Sequence, residues 1–450
     1  MIDPEAGSRE LHAIAVGDDR RAIAFGGNGQ IALDTFLRQV RALAAALPAG
    51  RHAINLCEDR YRFLVAFCAV ALRGQITLLP SSRAPTVIAD AVQRHAQSYC
   101  LGDGVLDPEP PRYWRLPQQL PEVEGPMPRI AGDAIVAIGF TSGSTGQPTA
   151  NPKTWRSFKA STAQNLAALR DLWPAQASPQ IVATVPPQHM YGMELSVLLP
   201  LLGGAAVHAG RPFFPNDIAH ALHQADAPRL LVTTPVHLRA LVESGVALPS
   251  MAGIVSATAP LPQALAAAAE TRFGCEVREL FGSTETCIIA RRRTAHDPLW
   301  TPLPGVVPQP QSDGTLVRAA HLAVPVMLPD LLDVEADGRF QLRGRQADVL
   351  EIAGKRASLG DLTRLLLAID GVDDGVMFQL DSADANGVRR IAALVVAPDL
   401  DEATLLRRLR EGIDPVFLPR RLQRVAALPR NALGKLPREA LLRLLQGDVQ

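Results

Sequence analysis

Apolar and polar positions along the chain alternate between short apolar runs and longer stretches of helical period. His52 to Leu56 predicts a strand, Arg60 to Leu72 a helix, and Ile76 to Leu79 a second strand stopped by Pro80. Val87 to His95 predicts a helix before a proline-rich connection that runs from Pro108 to Pro128, and the apolar run Ala134 to Gly139 follows it. The scheme then repeats. Trp155 to Leu169, Leu195 to Leu202, Ile218 to Ala225 and Val236 to Glu243 read as helices, with strands at Ile181 to Val185 and Leu230 to Thr233. Strands alternating with helices of this length predict an α/β fold of mainly parallel sheets covered by helices.

Past Arg291 the pattern changes. Prolines at 298, 302, 304, 308 and 310 and the turn pairs Asp313-Gly314 and Asp337-Gly338 separate short alternating runs, which predict hairpins and a β-rich subdomain. Further on come a helix at Leu359 to Ile369, strands at Val376 to Leu380 and Arg389 to Val396, a helix at Ala403 to Glu411, a strand at Gln423 to Leu428 and a helix at Arg438 to Leu445. Those elements suit a small, mobile α+β lid. A chain of 450 residues exceeds what one core usually holds, so two domains are expected, residues 1–346 and 347–450.

Composition narrows the classes of partner. Apolar residues make up 47% and charged residues 20%, and 45 basic side chains balance 45 acidic ones, so no net field recruits nucleic acid. Five cysteines without a Cys-x-x-Cys pair argue against a disulfide framework or a zinc site and for a reducing cytoplasm. The N-terminus lacks the basic start and apolar core of a signal peptide. The longest apolar stretch, Phe63 to Leu72, lies between Arg62 and Arg73; it is too short for a membrane span and reads as a buried helix.

The candidate chemistry centres on Phe140-Thr141-Ser142-Gly143-Ser144-Thr145-Gly146-Gln147-Pro148, a loop of small and hydroxyl residues that leaves the end of an apolar strand. Two glycines let backbone N–H groups turn inward, and the hydroxyls add donors for phosphate oxygens. Alone, the loop reads equally as an ordinary turn. It carries no Walker-type Gly-Lys-Ser/Thr and no Gly-x-Ser-x-Gly elbow. Four further pieces add weight. Phe281-Gly282-Ser283-Thr284-Glu285 sets hydroxyls and a carboxylate beside a glycine turn, where Thr284 can meet an α-phosphate and Glu285 can hold Mg²⁺. Asp330 follows Pro329 in an expected turn and can accept from two ribose hydroxyls, or be a solvated loop acid. Arg345 is a candidate phosphate and ribose contact or a surface charge. Lys435, in Arg430-Asn431-Ala432-Leu433-Gly434-Lys435, offers a point charge on a glycine turn.

In this order the motifs resemble the adenylate-forming superfamily of acyl-CoA synthetases, luciferases and non-ribosomal peptide adenylation domains, from about Ile31 to the C-terminus. The resemblance implies ATP and Mg²⁺ as cofactors, with Thr141 to Gly146 as the phosphate loop and Phe281 to Glu285 as the family's Tyr-Gly-x-Thr-Glu motif. It further implies that Asp330 is the ribose ligand, that Gly354-Lys355-Arg356 is a glycine turn of the lid, and that Lys435 is the catalytic lysine. Ala257 and Thr258 fall where such proteins line the adenine pocket. This chain departs in two places. Thr149 stands where a lysine usually follows the loop proline, with Lys153 the nearest lysine, and Ala347 occupies the hinge position where relatives often carry aspartate or lysine.

His189, in Val185-Pro186-Pro187-Gln188-His189-Met190-Tyr191-Gly192, matches the segment that borders the acid pocket, and a hydrogen-bonded histidine at a strand end is the plainer alternative. Met190 stands where amino-acid-activating relatives place an aspartate. An ammonium buried beside a thioether is costly, so an amino acid substrate is disfavoured. Overall size and the stretch Gly146 to Trp155 look most like compact ligases of aryl-polyene and xanthomonadin-type pigment pathways. That likeness implies a hydroxybenzoate-like acid transferred to an acyl carrier protein. Coenzyme A is the alternative acceptor, and a silent nucleotide-binding protein is the reading from another class. Residues 389–450 hold eleven arginines and Lys435 against seven acids, which reads either as ordinary charged helix faces or as a basic surface suited to an acidic carrier.

Overall fold

Strands and helices arise close to where the apolar pattern puts them. The computed structural model describes residues 10–27, 29–80, 82–142, 148–345, 348–352, 355–383, 389–431 and 434–447. Its contacts divide the chain into two units. One comprises Met1–Asp297 with Pro302–Val306 and Ala319–Val324, and the other Pro298–Thr301, Val307–Arg318 and Pro325–Gln450.

The first unit contains two large sheets. A hairpin, β1 (Ala22–Gly26) and β2 (Gly29–Ala32), precedes the strands of the first sheet: β3 (His52–Asn55), β4 (Ile76–Leu79), β5 (Ser98–Gly102), β6 (Tyr113–Arg115), β7 (Ile135–Ser142) and β8 (Pro148–Thr154). Their order is β8-β7-β4-β3-β5-β6, parallel except for β8. Helix α1 (Arg60–Leu72) is buried on almost every face, so its sequence is apolar all round rather than striped. Asp59 caps it by accepting from the Arg62 N–H. Strand β8 escaped the sequence reading because Pro148 and Pro152 interrupt it. Both are tolerated because β8 is an edge strand.

The second sheet collects β9 (Gln180–Ala183), β10 (Ala206–His208), β11 (Arg229–Thr233), β12 (Gly253–Ser256), β13 (Val277–Ser283) and β14 (Cys287–Arg292). These run in the order β14-β13-β12-β11-β9-β10-β1-β2, with β1, β10, β9, β11, β12 and β13 parallel. The chain leaves β9 toward β10 on one side and returns to β11 on the other. The carboxyl ends of β9 and β11 are therefore the switch point at which open α/β sheets bind ligands.

The second unit holds the expected hairpins, Val307–Gln311 with Gly314–Arg318 and Asp330–Val334 with Phe340–Arg345. Its last part is a sheet of Asp374–Ala383, Arg389–Val396 and Arg421–Arg424. Alternation along the middle strand covers both faces: Ile391, Ala393 and Val395 pack with Leu362, Leu366, Leu405 and Leu409, while Ala392 and Leu394 pack with Leu441 and Leu445.

Candidate active site

Strand β7 carries the candidate phosphate loop at its carboxyl end. Thr141 and Ser142 complete the strand, their backbones opposite Thr149 and Pro148 of β8, and Gly143, Ser144, Thr145 and Gly146 lie outside the described residues. Two residues before Thr141, a Cβ on Gly139 would stand 2.5 Å from Thr284 Cγ2 and 3.2 Å from Met190 Cε. The strand feeding the loop, the Thr284 turn and the segment after His189 thus meet at a point that admits only glycine.

The Thr284 turn is built from both sides. Gly282 lies within β13 rather than in a turn beyond it, and its Cβ would fall 2.3 Å from the Cys287 carbonyl oxygen. The Ser283 and Thr286 hydroxyls stand 3.1 Å apart, and the Thr286 N–H donates to Ser283 Oγ at 3.2 Å. Cys287 takes a left-handed φ of 60°, which closes the connection into β14. The half-buried Glu285 carboxylate has no hydrogen-bond or ion-pair partner among the described residues. Lys153, the nearest lysine to the loop proline, is buried, and its Nζ donates to the Glu285 carbonyl at 2.7 Å. His321 Nε2 lies 2.6 Å from the Thr286 carbonyl oxygen, and burial holds its pKa below the usual imidazole value.

Behind the turn sits a carboxylate that the sequence reading passed over. Glu194 opens a π-helical turn, Glu194–Leu198, inside what the apolar pattern suggested was a plain helix from Leu195. Its side chain is fully buried; it accepts from Ser161 Oγ at 2.6 Å and Asn165 Nδ2 at 3.0 Å, and the Ile288 N–H reaches both carboxylate oxygens. Burial raises its pKa, against these hydrogen bonds and the nearby Lys153 charge. A lone Glu in the apolar run Met190 to Leu202 was the available signal.

At the switch point the side chains are hydroxyls, imidazoles and an aromatic ring. Thr184 Oγ1 lies 3.1 Å from Thr233 Oγ1 and 2.9 Å from His237 Nδ1, and Thr234 Oγ1 lies 3.2 Å from the same nitrogen. Burial, with Arg211 nearby, lowers the His237 pKa to about 4. Tyr191 OH donates to the carbonyls of Thr233 and Val255 and ties the short helix α2 (Met190–Met193) to the ends of β11 and β12. His189 caps that helix, its Nδ1 accepting from the Tyr191 N–H at 3.3 Å. Ala257 is buried just past β12, and Thr258 follows in a left-handed conformation, φ 80°.

Within the second unit, Asp330 is the first residue of a strand rather than part of a free turn, directly opposite Arg345 in the antiparallel ladder. Thr315 Oγ1 donates to its carbonyl oxygen at 2.7 Å. Lys435 is exposed and closes a turn in which its N–H donates to Asn431 Oδ1 and Gly434 adopts φ 76°. Arg430 braces this turn, with two hydrogen bonds to the Asp374 carboxylate and one to the Gly434 carbonyl. Ala347 and Gly354, which the resemblance places at a hinge and in a lid turn, lie outside the described residues.

The donor set suits a nucleotide that brings its own cation. No group of three or more His, Cys, Asp or Glu side chains among the described residues could cage a metal. A single unpartnered carboxylate such as Glu285 suits Mg²⁺ carried mainly by phosphate oxygens. The strand that ends in the candidate loop and the hydroxyl-carboxylate turn across from it lie together in one unit. Residues 12–338 match the family described as AMP-binding enzyme, and the chain belongs to that family. It is an AMP-forming acid–thiol ligase, which adenylates a carboxylic acid at the expense of ATP. Among its relatives, a 4-coumarate--CoA ligase of Rhodobacter capsulatus is 32% identical over 307 residues, 66% of this chain and 74% of that protein. A 3-hydroxybenzoate--CoA/4-hydroxybenzoate--CoA ligase of Thauera aromatica is 24% identical over 364 residues, 71% of this chain and 68% of that protein. The fold is that of ATP-bound MatB from Rhodopseudomonas palustris, with TM-score 0.80 and 18% identity over 96% of this chain and 97% of that one. Among the described residues no helix is long and apolar enough to cross a membrane.

Proposed function

We propose that this enzyme adenylates an aromatic acid of the hydroxycinnamate or hydroxybenzoate class and passes the acyl group to coenzyme A. The observation that carries the reading is the 32% identity to a 4-coumarate--CoA ligase across 307 residues. The carrier-protein acceptor and pigment pathway anticipated from sequence find no such support, and the reading moves to coenzyme A. Met190 offers no charge to an amino group, so the acid is not an amino acid in this reading.

In this reading Thr284 and the loop hydroxyls orient the reacting phosphate, and Glu285 takes the cation. Bound Mg²⁺ would neutralise charge on the leaving pyrophosphate. His189 borders the acid; Ala257, Thr258, Phe281 and Ser283 bound the adenine and phosphate side, and Asp330 and Arg345 take the ribose. Lys435 supplies an ammonium to the charge that develops on the α-phosphate. The experiment is acid-dependent ATP–pyrophosphate exchange over coumarates, hydroxybenzoates and fatty acids, followed by thioester formation on coenzyme A. A hydroxylated aryl acid should be preferred, and preference for a long alkyl acid overturns the substrate class. Lys435→Ala should cut exchange 10²–10³-fold and spare thiol capture from supplied acyl-adenylate.

One observation keeps a second acceptor in view. Arg407, Arg408, Arg410, Arg420 and Arg421 are all exposed on the basic C-terminal part, a surface that an acidic carrier protein could use.

A further inference from the structure

The turn that presents Thr284 and Glu285 is held through three backbone groups, each by a buried ionisable side chain from a different segment. Lys153 Nζ on edge strand β8 takes the Glu285 carbonyl at 2.7 Å, and His321 Nε2 the Thr286 carbonyl at 2.6 Å. The Glu194 carboxylate takes the Ile288 N–H at 3.1 Å. Lys153 is 5% exposed and Glu194 1%. An inward position on β8 would ordinarily be apolar, because a buried ammonium is costly unless its donors and charge are answered. Here the ammonium is answered by the Glu285 carbonyl, the Cys287 thiol and the nearby Glu194 carboxylate, and the lysine's reach connects the strand that follows the phosphate loop to the turn across from it. Lys153 sits opposite Ala137 on β7, two residues before Gly139, whose missing side chain lets Thr284 approach.

We propose that Lys153, backed by Glu194, is a positioning residue for adenylation: it fixes the Thr284–Glu285 turn against the phosphate-loop strand through the Glu285 carbonyl. The inference rests on the adenylating function proposed above. It gives the chain a lysine that acts from behind the turn, while Thr149 occupies the place directly after the loop proline. A displacement of about 1 Å at such a turn costs on the order of 10²-fold in rate.

Lys153→Met and Lys153→Arg, assayed in both half-reactions, test it. Lys153→Met should lower ATP–pyrophosphate exchange about 10²-fold in kcat with the KM for the acid unchanged, and leave thiol capture of supplied acyl-adenylate within about threefold of wild type. Lys153→Arg, which can still donate to the carbonyl from a bulkier head, should recover exchange to within about tenfold of wild type. Exchange within threefold of wild type in Lys153→Met, or equal loss of both half-reactions, overturns the role. Should Lys153→Met fail to fold, Lys153→Gln, which is too short to reach the carbonyl and carries no charge, decides in its place: a loss confined to exchange supports the role, and unchanged or equally reduced half-reactions overturn it. Absence of acid-dependent exchange in the wild type would instead count against the function itself.

Discussion

At the scale of single residues, His237 shows how a side chain that looks incidental in sequence acquires a measurable consequence. Its ring is buried against Thr184, Thr234 and the edge of Phe213, and its pKa falls from 6.5 to about 4. The unfolded chain therefore binds a proton that the folded chain refuses between those values. This residue's contribution is fully present above about pH 6.5 and is lost as pH falls toward 4, on the order of 3 kcal/mol in total. His237→Asn should flatten that part of the pH dependence, measured as denaturant midpoints at pH 7 and 4.5; an unchanged slope would show that the ring is not the group responsible. His189 is a helix cap as well as a candidate for the acid pocket. His189→Ala should shift the acid preference and KM rather than kcat, and an unaltered acid profile would leave it the capping role alone.

At the scale of elements, function depends on how closely strands and turns approach. Gly139→Ala would force a methyl to 2.5 Å from Thr284 Cγ2. The threonine must rotate away, so exchange should fall at least tenfold with about 1–3 kcal/mol lost from stability. Wild-type exchange in that variant would mean that the turn has slack. In the other unit, the bidentate Arg430 to Asp374 pair holds the turn that ends in Lys435. Asp374→Asn should therefore lower exchange about tenfold while the melting temperature moves little, as read by calorimetry beside the exchange assay. Much of the element pattern was legible in advance. Trp155–Leu169, Ile76–Leu79 and Arg389–Val396 form where periodicity puts them. Strand β8 and the π-helical turn at Glu194 were not legible, because an edge strand tolerates proline and a buried glutamate is stabilised only by partners distant in sequence.

At the scale of the whole molecule, the two acceptors make different electrostatic demands. Coenzyme A presents a few phosphates to a small site, whereas a carrier protein would use a broad surface, so only the second should be strongly salt-dependent. We expect thioester formation on coenzyme A to exceed that on an acyl carrier protein. It should also change little between low and physiological salt, or when Arg407 and Arg408 are both reversed to Glu. Faster carrier loading that collapses with salt and with these reversals would transfer the acceptor role to a carrier protein.

The sequence by itself determined the alternation of strands and helices, the hairpins at Asp313-Gly314 and Asp337-Gly338, and the order of the motifs from Thr141 to Lys435. Those features depend on local period, turn chemistry and residue type, all written along the chain. The tertiary structure decided that β9 and β11 flank a switch point, since strand order is a property of the assembled sheet. It also decided which polar groups face one another. Thr184 meets Thr233 and His237, and Glu194 meets Ser161, Asn165 and Ile288. By sequence, Lys153 was only the nearest lysine to the loop proline, and a phosphate contact from it was in doubt. In the fold it lies buried on an edge strand with its ammonium on the Glu285 carbonyl, because pairing β8 against β7 turns its side chain inward.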